Sequence, residues 1–191
     1  MRQDLFSTRF YIFENIYDNK ILANILNAIK VDMDSLSNVS AEPEGGPDYR
    51  TNYYVHESHI KLFDPILNIL NEHLLKEESA HYQVTSGPWY SEYGEHDGHE
   101  PHIHDQTHFH QYYEIGKNCW KLSCIINLSN FGYTKFANPN HTSCEIQHHY
   151  EASSYGKVIL FPCNLLHWVS PHRCSGRTRA TFAMNGLLTF K

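Results

Sequence analysis

The chain has 191 residues and a formal net charge of −6, and 41% of its residues are hydrophobic. This length fits a single domain with its own core, and an acidic balance without a Lys/Arg run argues against a nucleic-acid partner. The sequence has no apolar stretch long enough for a membrane span, and MRQDLFSTRF at its start does not read as a signal peptide. Five cysteines without a CxxC pair favour reduced thiols, so we expect a cytoplasmic protein.

Two helices are predicted in the first part of the chain. Apolar residues recur at helical spacing after Asp18 or Asn19, either of which is a plausible N-cap. Residues 32–52 lose this periodicity and contain several glycines and prolines, which predicts a loop. A second apolar helical face begins at Ile60 and ends near Lys76.

Short segments with a period near two follow, separated by loop signals such as Gly87-Pro88 and Gly156. With one earlier segment, the predicted strands are Phe10–Phe13, His81–Thr85, Trp89–Tyr93, Lys121–Leu128, Cys144–His148, Lys157–Phe161 and Arg179–Leu188. Helices followed by many short strands predict a mainly β protein with a sandwich or barrel core. We expect one domain over residues 1–191, with helical support in 1–80 and the β core in 81–191.

Histidine is the unusual residue, with fifteen in the chain and six between His96 and His110. On a strand, His102 and His104 would point to one face with Cα atoms about 6.5 Å apart, close enough to ligate one metal ion. An exposed histidine-rich loop explains this motif equally well when it is taken alone. The other four histidines are expected at the entrance of the site or in solvent: His96, His99, His108 and His110.

A candidate third ligand is His167, which follows a turn, an apolar strand and a second turn between Gly156 and Asn164. The alternative is a half-buried histidine bonded to the backbone. The upstream histidine pair favours the ligand interpretation.

Arg179 and Thr181 share one face of an otherwise apolar strand. A guanidinium that points into a β core needs an anionic partner, and arginine suits a bound carboxylate. A salt bridge to a distant Asp or Glu is the alternative. Arg177 has the same parity, so the choice between Arg177 and Arg179 stays open.

These motifs resemble the Fe(II)/2-oxoglutarate-dependent oxygenase superfamily, and most of all its small bacterial and phage members related to prolyl hydroxylases. The resemblance is carried by Trp89, Tyr93-Gly94, Pro101–His104, Lys121–Leu128, Gly156–Pro162, His167 and Arg179–Asn185. It implies a double-stranded β-helix (jelly-roll, cupin-like) core supported by two N-terminal helices. It also implies iron ligation by His102 and His167, binding of the distal carboxylate of 2-oxoglutarate by Arg179 with Thr181, and assistance from Tyr93.

One position departs from the family pattern. The superfamily usually has His-x-Asp/Glu followed by a distant His, and His104 stands here where the carboxylate is expected. Asp105 is adjacent, but its parity directs it to the other strand face unless a bulge intervenes. The third metal ligand is therefore His104 or Asp105, with His104 preferred. Gln106–Asn118 is predicted to form a loop over the site.

The resemblance implies an oxygenase that uses Fe(II) and 2-oxoglutarate to hydroxylate a small-molecule or peptide substrate, releasing succinate and CO2. Two alternatives have the same β core: a cupin-type three-histidine dioxygenase, and a metal- or carbohydrate-binding jelly roll without catalytic activity. Neither alternative requires Arg179. The sequence specifies neither the prime substrate nor the oligomeric state.

Overall fold

In the part of the chain that the structure describes, two antiparallel β-sheets and the helices that cover one of them make up the fold. A computed structural model describes residues 2–5, 8–35, 51–55, 57–104, 119–138, 148–173 and 175–191. Its strands are β1 (Arg2–Leu5), β2 (Thr8–Phe13), β3 (Thr51–Tyr54), β4 (Ala80–Tyr93), β5 (His99–His102), β6 (Cys119–Asn127), β7 (Tyr133–Ala137), β8 (His148–Ala152), β9 (Val158–Pro162), β10 (His167–Val169) and β11 (Arg179–Phe190). The major sheet has the order β1-β2-β9-β6-β11-β4-β3, and the minor sheet has the order β5-β10-β7-β8.

Helices α1 (Asn19–Ser35), α2 (Glu57–Ile60) and α3 (Asp64–Glu78) precede most of the strands, with a 3-10 turn between α2 and α3. The carboxylate of Asp18 accepts a hydrogen bond from the backbone N–H of Lys20 at 2.9 Å, which confirms the predicted start of the first helix. None of the described helices combines the length and the apolar character that crossing a membrane requires.

The predicted loop over residues 32–52 is wrong at both ends. Helix α1 continues to Ser35, and β3 begins at Thr51. Strand β3 exists because it pairs with β4, which lies far from it in the sequence, and a periodicity search cannot detect such pairing in four residues. Residues 36–50 lie outside the described residues.

The predicted break at Gly87-Pro88 is also wrong, because β4 runs from Ala80 to Tyr93. Trp89 pairs with Ala183 and Ser86 pairs with Asn185, so two residues of β4 face one residue of β11. Such a bulge accommodates a proline, which has no N–H for the ladder. Most of the strand predicted over Cys144–His148 lies outside the described residues. Of that range the structure describes only His148, the first residue of β8.

Alternate residues of the major-sheet strands point to opposite faces, one packed against the helices and the other packed against the minor sheet. In β9, Val158 and Leu160 pack against the helices, whereas Ile159 and Phe161 pack between the two sheets. The same alternation places Phe182 of β11 on the helix side. This two-layer arrangement confirms the expected mainly β, double-stranded β-helix core.

Phe161 is a test of how much the layer between the sheets contributes to stability. Its ring is fully buried and lies 5.0 Å from the ring of Phe136 and 4.7 Å from that of His167, both on the minor sheet. Phe161→Ala should lower the free energy of unfolding by about 3–5 kcal/mol through loss of contacts and creation of a cavity. Urea denaturation measures the free energy of unfolding, and Tyr133→Ala, at a half-exposed position, is the control. An equal loss of stability in both variants would contradict the placement of Phe161 in the core between the sheets.

Candidate metal centre

Three histidines meet where the minor sheet faces the major one. His102 ends β5 and is the cross-strand partner of His167, the first residue of β10. His104 follows two residues later, and its Nε2 lies 3.0 Å from Nε2 of His167. One ligand atom from each of these three side chains lies within 4.8 Å of the others. The chain thus brings together the three histidines that the sequence singled out.

Backbone carbonyls fix two of the rings in the form that a metal requires. Nδ1 of His102 lies 2.7 Å from the carbonyl oxygen of Glu100, and Nδ1 of His167 lies 2.8 Å from that of Leu165. An Nδ1–H that donates to a carbonyl leaves the lone pair on Nε2. Two nitrogens at right angles around an ion, each at about 2.1 Å, would be about 3.0 Å apart, so the spacing of His104 and His167 fits a shared metal.

The charge state of His167 fits the same purpose. Its side chain is 3% exposed, and burial holds the pKa of this imidazole well below its usual value, with His102 and His104 lowering it further. A neutral imidazole is the form that ligates metals. His167 therefore offers an uncharged nitrogen donor to an ion.

His104 reaches the site by a route that the sequence did not predict. The strand ends at His102, so the expected placement of both histidines on one strand is wrong. The backbone N–H of His104 donates to the carbonyl of Cys163 at 2.9 Å, and its ring stacks on Trp89 with centroids 5.4 Å apart. These long-range contacts, rather than strand parity, direct its ring toward His167.

The remaining candidates of the histidine-rich stretch separate into three groups. His99 lines the cavity beside the three histidines and stacks on His102 with ring centroids 3.6 Å apart. The side chain of His96 is 68% exposed. Asp105, His108, His110 and the whole of Gln106–Asn118 lie outside the described residues, so the choice between His104 and Asp105 as third ligand stays a prediction.

The histidines open into a cavity of about 670 Å³ between the two sheets. Its opposite wall is built from β4 and β11, whose alternate residues point away from the helices. On β11 these residues are Arg179, Thr181, Ala183 and Asn185, and on β4 they include Trp89, Ser91 and Tyr93. The predicted shared face of Arg179 and Thr181 is therefore the cavity face.

Arg179 is fully buried and only partly hydrogen-bonded. Its Nε donates to Oγ of Ser153 at 3.2 Å, and its Nη2 donates to Oγ1 of Thr134 at 2.9 Å. Nη1 is buried and has no hydrogen-bond partner among the described residues. The guanidinium carbon lies 5.4 Å from the ring centre of Tyr93, so the neighbours of Arg179 are hydroxyls and an aromatic ring.

No acidic side chain of the described residues forms an ion pair with Arg179. Burial accordingly lowers the pKa of its guanidinium, although an arginine remains protonated in proteins. A buried cation of this kind is stabilised by an anion that enters the cavity.

A glycine beside Arg179 leaves room for its side chain. A Cβ atom on Gly132, whose φ is +86°, would lie 2.8 Å from Cδ of Arg179.

Arg177 is exposed, and its guanidinium lies 5.9 Å from the ring of Phe131. Of the two arginines left open by the sequence, Arg179 is the one that lines the cavity.

The other predicted cofactor residues also lie in the cavity wall. Thr181 and Tyr93 are buried, with 5% and 4% exposure, and both line the cavity. Sequence reasoning assigned no role to Thr134 or Asn185, which line it as well. The parity of Asn185 with Arg179 was a usable signal, whereas Thr134 is brought in only by the facing sheet.

No family model and no curated protein matches this sequence. Solved structures share its fold. A prolyl-4-hydroxylase from Pseudomonas putida is 10% identical with a TM-score of 0.57 over 98% of this chain and 96% of that one. HygX from Streptomyces hygroscopicus, solved with nickel and 2-oxoglutarate bound, is 10% identical with a TM-score of 0.59 over 96% of this chain and 83% of that one. An oxidoreductase of the 2OG-Fe(II) oxygenase family from Burkholderia pseudomallei is 15% identical with a TM-score of 0.57 over 93% and 84%.

These likenesses confirm, at the level of the fold, the resemblance that the sequence motifs indicated. At 10–15% identity they show a shared architecture. The roles of individual residues in this chain follow from its own geometry.

Single substitutions at two of the three histidines test the metal centre. His167→Ala and His104→Ala should each lower the affinity for Fe(II) by about 100-fold or more, because each removes a ligand rather than an outer-shell contact. Anaerobic calorimetric titration measures the affinity, and His96→Ala, an exposed histidine outside the cluster, should bind as the unaltered protein does. Loss of binding in Asp105→Ala with retention in His104→Ala would contradict the three-histidine assignment.

Proposed function

We propose that this protein is an Fe(II)- and 2-oxoglutarate-dependent oxygenase that hydroxylates a small-molecule or peptide substrate and releases succinate and CO2. The observation that carries the proposal is the buried guanidinium of Arg179, which has no carboxylate partner in the described chain and lines the same cavity as three converging imidazoles. A metal centre and a buried cation in one cavity suit a co-substrate that ligates the metal at one end and carries a carboxylate at the other.

In this proposal His102, His104 and His167 hold Fe(II), since their Nε2 atoms can converge on one ion. When bound, Fe(II) with 2-oxoglutarate would supply the chemistry by which O2 oxidises a substrate C–H bond to an alcohol. Glu100 and Leu165 act through their carbonyl groups, which keep the rings of His102 and His167 oriented. Three neutral imidazoles leave the metal its full charge of +2, and the metal-binding carboxylate of 2-oxoglutarate would offset one unit of it.

Arg179 binds the distal carboxylate of 2-oxoglutarate in this proposal. Nη1 is the donor that is available, because Nε and Nη2 already donate to Ser153 and Thr134. Thr181 adds a hydroxyl donor on the same face of β11, and Tyr93 contributes the wall against which the guanidinium packs. The hydroxyls of Ser153 and Thr134, which accept hydrogen bonds from Nε and Nη2, hold the guanidinium in one orientation before the carboxylate binds.

The apolar part of the cavity has a separate role. Ile125, Val169, Ala183 and the indole of Trp89 line it near the histidines. A wall without competing polar groups lowers the local dielectric and excludes water from the reacting atoms. Trp89 also contacts the ring of His104, so the same side chain supports a metal ligand and closes the cavity wall.

The structural neighbours support the choice of cofactor and reaction class. HygX was solved with nickel and 2-oxoglutarate bound, and the Burkholderia structure is described as a 2OG-Fe(II) oxygenase. Carried over to this chain, these descriptions favour Fe(II) and 2-oxoglutarate over other ligands of a jelly roll. Arg179 is the feature of this chain itself that favours 2-oxoglutarate.

A cupin-type three-histidine dioxygenase is the second candidate, and the histidine set itself favours it. Such an enzyme does not bind 2-oxoglutarate and therefore does not require a buried guanidinium at the other side of the cavity. Arg179 therefore separates the two candidates, because 2-oxoglutarate should bind only if this guanidinium receives its carboxylate.

The binding of 2-oxoglutarate to the metal provides the direct test. Under anaerobic conditions the Fe(II)-loaded protein should develop a weak visible charge-transfer band only after 2-oxoglutarate is added. Arg179→Ala should abolish the band at concentrations that saturate the unaltered protein, because the distal carboxylate loses its charged partner, worth several kcal/mol in a buried site. Arg177→Ala is the matched control and should keep the band, since Arg177 is exposed. A band that persists in Arg179→Ala, or that never forms, would overturn the proposal.

A further inference from the structure

Asn185 is a polar residue on the cavity face of β11, at the other side of the metal centre from Arg179. Alternate residues of this strand line the cavity in the order Arg179, Thr181, Ala183, Asn185, and each step along the strand advances about 6.8 Å. Ala183 pairs with Trp89, whose indole stacks on His104, and this marks the level of the metal centre. Asn185 therefore lies beyond that level, in the part of the cavity that 2-oxoglutarate bound to Arg179 does not fill.

The carboxamide of Asn185 is held in one orientation. Its Oδ1 accepts a hydrogen bond from Oγ of Ser123 at 2.8 Å, and Sγ of Cys163 lies 3.8 Å from the same oxygen. Its Nδ2 has no hydrogen-bond partner in the part of the chain that the structure describes. With the oxygen directed at two donors, the NH2 group is left as a donor to the cavity.

The backbone around Asn185 is irregular in a way that aims this side chain. The register between β11 and β4 shifts on both sides of Asn185, and bulges next to active sites commonly redirect a side chain. A Cβ atom on Gly186 would lie 2.4 Å from the carbonyl oxygen of Gln83, so this close approach requires glycine. The backbone N–H of Asn185 donates to Oγ of Ser86 at 3.3 Å, which leaves the hydroxyl hydrogen of Ser86 for a ligand in the same cavity.

We propose that Asn185 determines substrate specificity by donating a hydrogen bond from Nδ2 to a neutral oxygen, a carbonyl or hydroxyl, of the prime substrate. The inference rests on the proposed oxygenase function, because it assigns the Arg179 side of the cavity to 2-oxoglutarate. Two neutral donors, Asn185 and Ser86, suit the two lone pairs of such an oxygen. An analogue without this oxygen would leave the fixed donor unsatisfied, which is how a polar site rejects a substrate of similar shape.

The test uses two sets of probes, N-acetyl amino-acid amides for the carbonyl source and monosaccharides for the hydroxyl source. In 15N-labelled protein loaded with Zn(II) and 2-oxoglutarate, the carboxamide resonance of Asn185 is identified by its loss in Asn185→Asp. At least one probe should shift this resonance, and the same probe should raise 2-oxoglutarate consumption above the rate without substrate in the Fe(II) protein. The set that contains the active probe identifies the source of the oxygen.

Two variants then remove the donor in different ways. Asn185→Asp keeps an acceptor for Ser123 but adds charge, and Asn185→Leu removes the donor without adding charge. Both should lower kcat/KM for the active probe by about tenfold or more. Asn68→Asp makes the same charge change at an exposed position on α3 and should leave kcat/KM unaltered. The inference is wrong if no probe of either set shifts the Asn185 resonance, or if both Asn185 variants use the active probe as well as the unaltered protein does.

Failure of this inference can be told apart from failure of the proposed function. If the charge-transfer band with Fe(II) and 2-oxoglutarate forms but the probes give either contrary result, the oxygenase assignment stands and the role of Asn185 is wrong. If the band does not form, the proposed function is wrong, and the inference that rests on it is wrong as well.

Discussion

The guanidinium of Arg179 places a full positive charge inside the fold. Its described neighbours are two hydroxyl groups and an aromatic ring rather than a carboxylate. An uncompensated buried charge costs several kcal/mol, which the rest of the fold must offset. The pairing of β11 with β4 and β6 fixes the strand that carries Arg179 inside the major sheet, and Gly132 leaves the space that the side chain occupies. In the proposed function this cost in stability maintains an anion site, as is expected of a functional cavity.

The strand that stabilises the fold is also the strand that lines the site. One face of β11 contributes Phe182 and Met184 to the helix-covered core, and the other face presents Arg179, Thr181 and Asn185 to the cavity. A shift of one residue in its register would exchange the two faces and remove core and site together. The pairing of His102 with His167 across the minor sheet works in the same way, because one strand register places both candidate metal ligands.

The parts of this molecule that were predictable from sequence are those that depend on local period. The alternation in β11 placed Arg179 and Thr181 on one face, and the turn, strand and turn before His167 placed this residue at the start of β10. The helix start at Asp18 followed from local capping chemistry. Residue type and spacing suffice in these cases, since the physical cause lies within a few residues.

The errors arise where distant segments decide the local structure. His104 lies outside a strand and is held by the carbonyl of Cys163 and the ring of Trp89. Gly87-Pro88 is accommodated by a bulge opposite β11, and β3 depends on its pairing with β4. The donor role proposed for Asn185 likewise depends on Ser123 and Cys163, which only the folded chain brings to it.

A crystal structure of the Fe(II) protein grown with 2-oxoglutarate in the absence of O2 tests the central claim most directly. The account predicts one metal ion bound by Nε2 of His102, His104 and His167, with 2-oxoglutarate ligating that ion and its distal carboxylate within hydrogen-bond distance of Nη1 of Arg179. A metal ion bound without these three histidines, or a 2-oxoglutarate molecule whose distal carboxylate lies away from Arg179, would contradict it.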